Sequence, residues 1–209
     1  MRIDAHHSHT SQYSLAYLAS ILKRNRFEKS LLVGSPKPTP EYVAGIIAPI
    51  DSFSSDPRIC AVQVRELPEV ARAAPLGLPV DLLNLLPHVS EIAGQHPDVT
   101  LIIDHLGHPP SESWQRDMER AAACANVYCK LSGLTMFDEP RPYVQRALSL
   151  FGPTRLMFGS DWPNGLPQHT WKSALAVFTQ AIGAQPIEVR EQLLGGTAAR
   201  VYRVAALAG

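Results

Sequence analysis

The stretch Arg155-Leu-Met-Phe-Gly-Ser-Asp-Trp-Pro163 decides the fold, because an apolar run of strand character ends abruptly there in a polar turn. Glycine before Asp161 and proline after Trp162 favour a turn, so the carboxylate is expected at the carboxyl end of a buried strand. Enzymes built on parallel α/β barrels keep their chemistry at this edge. Taken alone, an aspartate in such a turn is more often a turn former than a catalyst.

Two further apolar runs end in the same way. Residues 1–5 lead into His6-His-Ser-His9, and residues 99–104 lead into His105. Histidine and aspartate are the side chains that bind a divalent metal or move a proton. The sequence therefore predicts one site formed by His6, His105 and Asp161, both as catalytic residues and as candidate metal ligands.

Short apolar or β-branched segments alternate with helical patterns along the chain. The predicted strands are residues 1–5, 30–33, 45–50, 59–64, 78–82, 99–104, 127–131 and 155–158. The predicted helices are 14–24, 87–95, 112–124 capped by Ser111, 140–150 capped by Asp138 and stopped by Gly152, 168–182, 186–194, and a Thr197-capped segment to 204. This alternation predicts a parallel sheet with right-handed crossovers, and hence a compact α/β fold, a (β/α)8 TIM barrel. Links rich in proline and serine before residue 59 leave room for only a turn of helix in the second and third units.

Length and composition are those of a single barrel domain over residues 1–209, with 45% hydrophobic residues available for a core. Lysine plus arginine equals aspartate plus glutamate at 19 each, and no basic run occurs, which argues against a nucleic-acid partner. Cys60, Cys124 and Cys129 lack CxxC spacing and indicate reduced thiols. No apolar signal segment or membrane-length run is present. These features predict a soluble cytoplasmic protein that acts on a small molecule and has no membrane partner; a homo-oligomer is compatible with them.

The sequence resembles the amidohydrolase-related family of barrel hydrolases, on the branch that includes fuconolactone and 2-pyrone-4,6-dicarboxylate lactonases. The resemblance is continuous from about Leu78 to the end of the chain and patchy before it. The residues that carry it are Ile3-Asp-Ala-His6, Val62-Gln-Val-Arg65, Leu78-Pro-Val-Asp-Leu-Leu83, Ile102-Ile-Asp-His-Leu-Gly107, Val127-Tyr-Cys-Lys-Leu-Ser-Gly133, residues 151–163 and Gly195-Gly-Thr-Ala-Ala-Arg200.

The resemblance implies that Asp161 activates the hydrolytic water and that His105 is the imidazole beside it. Arg65 and Lys130 end the fourth and seventh strands, where cations suit a substrate carboxylate or a developing oxyanion. The alternative for both cations is a salt bridge in the barrel mouth. Trp162 and Ser8 complete the predicted substrate-binding set.

The first strand departs from the Asp-x-His-x-His pattern usual in the family. With Asp4 aligned, His6 takes the place of the first histidine and Ser8 that of the second, so one ligand is missing. Alternation along a strand places His7 and His9 on the opposite side, and they could act as a pair only after a one-residue slip. Two alternatives stay open, a three-ligand divalent metal, zinc, and hydrolysis without metal.

The predicted function is a hydrolase that opens a carbonyl ester, a lactone of a sugar acid or of a ring-cleavage product, with water activated at Asp161. A lactone that bears a carboxylate is one candidate substrate. A metal-dependent decarboxylase on the same residues is one alternative. A degenerate barrel kept for binding is the other, favoured by Ser8 and the short early loops. His108, where relatives often have lysine, is interpreted as a solvated loop histidine.

Overall fold

The computed structural model describes residues 1–35 and 39–204 and contains one sheet of eight parallel strands. The strands are β1 (Ile3–Ser8), β2 (Lys29–Val33), β3 (Val43–Pro49), β4 (Ile59–Val64), β5 (Val80–Leu82), β6 (Leu101–Ile103), β7 (Val127–Leu131) and β8 (Leu156–Phe158). Each strand pairs with the next along the chain. The sheet closes where the backbone N–H of Asp161 donates to the carbonyl of His6 (2.9 Å) and that of Ser8 to the carbonyl of Trp162 (2.7 Å). The predicted (β/α)8 TIM barrel is confirmed.

All eight predicted strands are present, and those at 59–64 and 127–131 have the predicted bounds. The largest difference is in β1, which continues through the histidines to Ser8 instead of ending at residue 5. It does so because His7 pairs with Leu32 and Ser8 with Val33 of β2. The register shifts between Asp4 and His7, so β1 also departs from strict alternation there.

The helices surround the barrel and follow the predicted pattern with some corrections. They are α1 (Leu15–Arg24), α2 (Leu67–Ala73), α3 (Val89–Gln95), α4 (Trp114–Ala122), α5 (Pro140–Phe151), α6 (Trp171–Ile182), α7 (Ile187–Glu191) and α8 (Thr197–Val201). Side chains cap the starts of α1 and α6, since Ser14 accepts from the N–H of Tyr17 and Thr170 from that of Ser173. Among the described residues, no helix is long and apolar enough to cross a bilayer.

Three of the predicted caps are wrong. The helix after Ser111 begins only at Trp114, and Glu139 rather than Asp138 precedes α5. Thr197 is the first residue of α8 and continues from a helical turn (Gln192–Gly196), so its hydroxyl donates to the carbonyl of Pro153 (3.1 Å) instead of capping a helix.

Helix α2 was not predicted, although its start carries a sequence signal. The Glu69 carboxylate accepts from the backbone N–H of Glu66 (3.1 Å), which satisfies a donor at the helix start.

The early units are short, as predicted. Only a 3₁₀ turn (Ile50–Ser52) lies between β3 and β4, and no helix occurs in the described part of the β2–β3 link.

The segment that includes α8 packs against the amino-terminal part of the barrel. Its buried residues Ala198, Val201 and Tyr202 join one apolar cluster with side chains from six strands: Ile3, Ala5, Leu31, Ile47, Ala61, Ile102 and Met157. This packing fills one end of the barrel, and the three predicted site residues lie at the other end.

Candidate active site

The structure brings His6, His105 and Asp161 together. His6 lies in β1, and the other two follow β6 and β8. Oδ1 of Asp161 is 3.8 Å from Nε2 of His6 and 4.0 Å from Nε2 of His105. The imidazole centroids are 4.5 Å apart. Three elements distant in sequence thus place two imidazoles and one carboxylate around a single point.

The backbone at two of these residues has a left-handed conformation that residues other than glycine rarely adopt. The φ angle is 51° at His105 and 57° at Asp161. At Asp161 the turn is held because Asn164 donates from its backbone N–H to the Asp161 carbonyl (2.9 Å) and from Nδ2 to Oδ1 (2.8 Å). Such conformations persist where surrounding contacts fix them, and they are frequent at functional sites.

Ser132, which sequence reasoning missed as a site residue, holds His105. Its Oγ is 2.8 Å from Nδ1 of the imidazole, so Nε2 faces Asp161. Close packing also requires Gly159, because a Cβ there would stand 2.7 Å from Cβ of His6 and 3.0 Å from Cβ of Ser132. Both residues belong to motifs that already carried the family resemblance, and this was the available signal.

Asp4 braces the site from behind and is not a ligand. Its fully buried carboxylate accepts from the backbone N–H (2.8 Å) and Oγ (2.6 Å) of Ser160 and from Nε1 of Trp171 (2.7 Å). Burial raises the pKa of this carboxyl, and these hydrogen bonds oppose the rise. The brace fixes the turn before Asp161 to both β1 and α6.

The sequence predicts that Lys130 binds the substrate, and the structure corrects this, because the side chain is directed into the barrel interior. Its side chain is entirely buried, pairs with Asp81, and places Nζ 3.0 Å from Oδ1 of Asp104 and 3.3 Å from Nδ1 of His6. The other Asp104 oxygen accepts from Nε2 of Gln63 (2.8 Å). The alternative to substrate binding, a salt bridge, is therefore what the structure shows for Lys130, and this salt bridge lies inside the barrel.

The pKa values of this buried group follow from its charges. Burial opposes the charge of Lys130, but the carboxylates of Asp104 and Asp81 raise its pKa. Burial likewise opposes ionisation of Asp104, yet the charge of Lys130 holds the pKa of that carboxyl well below its usual range. Burial raises the pKa of Asp81 to about 7 against the opposing effect of Lys130.

Burial also sets the charge states of the three converging residues. It lowers the pKa of His105 to about 4 and lowers that of His6, so both imidazoles are neutral near pH 7. It raises the pKa of Asp161, while His105 and Asn164 oppose the rise. His108 is exposed as predicted, and its ring centroid is 5.1 Å from that of His105.

The other predicted substrate-binding residues differ in position. Arg65 is exposed at the end of β4, with one guanidinium N–H directed to Gln63 (3.4 Å). Ser8 is partly exposed and lines a cleft. The predicted substrate-binding role of Trp162 is corrected, because only 3% of the residue is exposed and its ring centroid lies 5.8 Å from that of Tyr13. Its backbone closes the barrel, and its side chain belongs to the core.

The observed register of β1 excludes the histidine pair that a slip would create. His7 is fully buried, and its Nε2 lies 3.0 Å from Oγ of Ser30 in β2. His9 is exposed. In this register His6, and not His7 or His9, lies beside Asp161.

The residue types at the site fit one divalent metal. Within the described ranges, His6, His105 and Asp161 form the one cluster whose ligand atoms all lie within 4.8 Å of one another. Two ligand atoms on a tetrahedral zinc lie about 3.3 Å apart, so the observed 3.8 and 4.0 Å require small side-chain movements. Neutral imidazoles and a carboxylate are the donors that zinc accepts, and three protein donors leave a position for water.

Two histidines and an aspartate thus converge at the carboxyl-terminal edge of a parallel α/β barrel, the edge at which enzymes of this fold keep their chemistry. Residues 52–204 match the sequence model of the family described as amidohydrolase, and the chain belongs to that family.

The chain is 33% identical over 174 residues to an L-fucono-1,5-lactonase of Burkholderia ambifaria, a match that covers 74% of this chain and 56% of that protein. It spans about half the length of the curated relatives it matches. A zinc-bound amidohydrolase of Burkholderia multivorans superposes with a TM-score of 0.79 at 22% identity, covering 98% of this chain and 100% of that one. A probable 2-pyrone-4,6-dicarboxylic acid hydrolase of Acinetobacter baumannii, with citric acid bound, superposes with a TM-score of 0.71 at 16% identity, covering 97% and 99%. At these identities the two structures establish the shared fold.

Proposed function

We propose that this protein is a hydrolase that opens a lactone by water activated at Asp161. The observation that carries the proposal is the convergence of Asp161 with two neutral imidazoles at the carboxyl-terminal edge of the barrel. The similarity to an L-fucono-1,5-lactonase supports a lactone as the substrate. The substrate is a small molecule; cytoplasmic location and homo-oligomerisation stay predictions.

In this reaction water adds to the lactone carbonyl while Asp161 accepts its proton. The same carboxyl then returns the proton to the leaving ring oxygen, so one group acts as base and acid in turn. His6 and His105 lie on either side of the carboxylate and polarise the carbonyl. Ser132 holds His105 in the orientation that this requires.

Arg65 binds the carboxylate of a substrate that carries one. It is exposed at the end of β4, and its planar guanidinium is suited to bidentate pairing. The interaction forms in the ground state as well as in the transition state, so it contributes to binding more than to the chemical step.

A divalent metal, when bound, would be held by His6, His105 and Asp161 and would supply Lewis acidity and a water of lowered pKa. Because Ser8 stands where the family usually has a second histidine, zinc is expected to bind more weakly than at a complete site. The metal-free reaction needs only the groups described above.

The test is a lactone screen that includes L-fucono-1,5-lactone and 2-pyrone-4,6-dicarboxylate, followed by proton release at constant pH. Asp161→Asn keeps the size and hydrogen bonding of the side chain but removes the base, so hydrolysis should fall by roughly 10²-fold or more. Asp98→Asn, at an exposed position, is the matched control and should keep wild-type activity. Full activity of Asp161→Asn would refute its role, and release of carbon dioxide without lactone opening would support the decarboxylase alternative.

A further inference from the structure

The ammonium group of Lys130 lies next to His6 inside the barrel, and nothing in the proposed reaction uses it. Lys130 is 0% exposed. An ammonium group has three hydrogens to donate and cannot accept. It donates here to Oδ2 of Asp81 and to Nδ1 of His6 at 3.3 Å. Oδ1 of Asp104, 3.0 Å from Nζ, forms an ion pair with it that lacks hydrogen-bond geometry.

We propose that Lys130 is a positioning residue that fixes the tautomer of His6. Because Lys130 can only donate, Nδ1 of His6 must accept through its lone pair. The hydrogen of the neutral ring is then on Nε2, the nitrogen 3.8 Å from Oδ1 of Asp161. In this tautomer His6 donates a hydrogen bond to the substrate carbonyl and to the oxyanion that develops from it, a role that rests on the proposed lactone hydrolysis.

Asp104 is the competing partner of His6, since its Oδ1 is 3.4 Å from Nδ1 and could accept a hydrogen there. In that tautomer, Nδ1–H and the ammonium of Lys130 would be two donors facing each other over 3.3 Å. Lys130 would have to turn away from His6, and one of its N–H groups would lose its partner in a position closed to water. The buried cation thus favours the tautomer with hydrogen on Nε2.

Lys130 is itself held from the side away from the site. Asp81, its partner in β5, also accepts a hydrogen bond from the Tyr202 hydroxyl (2.9 Å). The Tyr202 ring centroid is 5.6 Å from Nζ of Lys130. The residue after α8 therefore helps to fix the ammonium that faces His6.

Lys130 also affects how His6 can bind a metal. Zinc binds a histidine nitrogen through its lone pair, so ligation by Nε2 would require the hydrogen to move to Nδ1, against Lys130. The charge of Lys130 should therefore weaken zinc binding and promote hydrolysis without metal. Removing the charge should therefore tighten zinc binding and slow the hydrolysis without metal.

The first experiment uses the intact wild-type protein, freed of metal and labelled with ¹⁵N at histidine. Nitrogen NMR distinguishes the two neutral tautomers, and the spectrum of His6→Gln assigns the His6 signals. The expected result is an unprotonated Nδ1 and a protonated Nε2. A protonated Nδ1 would overturn the proposal, whatever the activity.

The second experiment removes the charge of Lys130 together with that of its partner, in the double variant Lys130→Met with Asp81→Asn, so that no buried carboxylate at position 81 is left without its cation. Asp81→Asn alone, which keeps Lys130, is the control. Relative to this control, the double variant should bind zinc at least about tenfold more tightly in competition with a chelating dye, and hydrolyse the lactone with a kcat at least about tenfold lower at similar KM. A loss of both zinc affinity and activity, or no change in either, would assign Lys130 a purely structural role and overturn the proposal.

The two proposals can fail separately. If the screen finds no lactone substrate, the proposed function fails, while the tautomer and the zinc affinity can still be measured. If lactones are hydrolysed but His6 carries its hydrogen on Nδ1, only the role of Lys130 fails.

Discussion

Acid should destabilise this protein through His7, a histidine outside the proposed chemistry. His7 is fully buried between β1 and β2, with Nε2 3.0 Å from Oγ of Ser30. Burial lowers its pKa from 6.5 to about 3. Between these values the unfolded chain binds a proton that the folded protein excludes. The contribution of His7 is therefore fully present above pH 6.5 and is lost as the pH falls toward 3.

The size of this effect follows from the two pKa values. Between pH 7 and pH 5 the free energy of unfolding should fall by about 2 kcal/mol on account of His7. The result depends mainly on the unfolded-state pKa, because the folded-state value of about 3 lies well below pH 5. His105, whose pKa burial lowers to about 4, should add a loss of about the same size. Both losses are large against a typical total of roughly 5–15 kcal/mol.

Urea unfolding at pH 7 and pH 5 measures this difference in the wild type and in His7→Gln. Glutamine keeps an amide that can bond to Ser30 but cannot gain a proton in this range. Its loss of stability between the two pH values should be about 2 kcal/mol smaller than that of the wild type. His9→Gln, at an exposed position, is the control and should lose as much as the wild type. An equal loss in His7→Gln and the wild type would refute the neutral, buried state of His7.

Four further results are expected. Arg65→Ala should raise KM for lactones that bear a carboxylate and leave kcat and the KM of neutral lactones nearly unchanged; a fall in kcat alone would contradict its binding role. Gly195→Ala should lower stability by at least roughly 1–3 kcal/mol in thermal unfolding, because its Cβ would meet backbone atoms of Met1 at 2.3 Å and Arg2 at 2.9 Å. Gly94→Ala, at a helix position with nothing within 4 Å, should instead stabilise by about 0.5–1 kcal/mol. Prolonged chelation should remove any zinc without unfolding the protein; stoichiometric zinc that survives it, shown by elemental analysis, would contradict the weak site expected with Ser8.

The strand ends could be predicted from the sequence because their signals are local. At 155–163 the apolar run, the glycine and the proline all lie within nine residues of one another, and they place Asp161 without any knowledge of distant contacts. The same holds for His105, whereas β1 continues three residues past its predicted end, so that His6 lies within the strand. Helix α2 is the opposite case, because its seven residues are too short for a clear period and only the glutamates at its start indicate it.

The positions of Lys130 and Trp162 could not be predicted, because they depend on contacts between distant parts of the chain. Lys130 pairs with Asp81, 49 residues earlier, and lies beside His6, 124 residues earlier. A cation near a strand end has the same sequence signal whether it faces the mouth or the interior. Trp162 follows a site aspartate, yet its ring packs on Tyr13 from the first loop. Only the closed barrel decides between these positions.

The buried charges are explained better by orientation than by stability. Transferring Lys130 and two carboxylates from water to the barrel interior costs free energy that their mutual attraction repays only in part. Branched apolar side chains usually fill such interiors, and replacement of buried ion pairs by well-packed apolar residues is often neutral or stabilising. Apolar residues, however, could not hold a lone pair at Nδ1 of His6, and Lys130 is the neighbour that donates to that nitrogen. We therefore attribute the charges in this part of the barrel to the tautomer that they impose on His6.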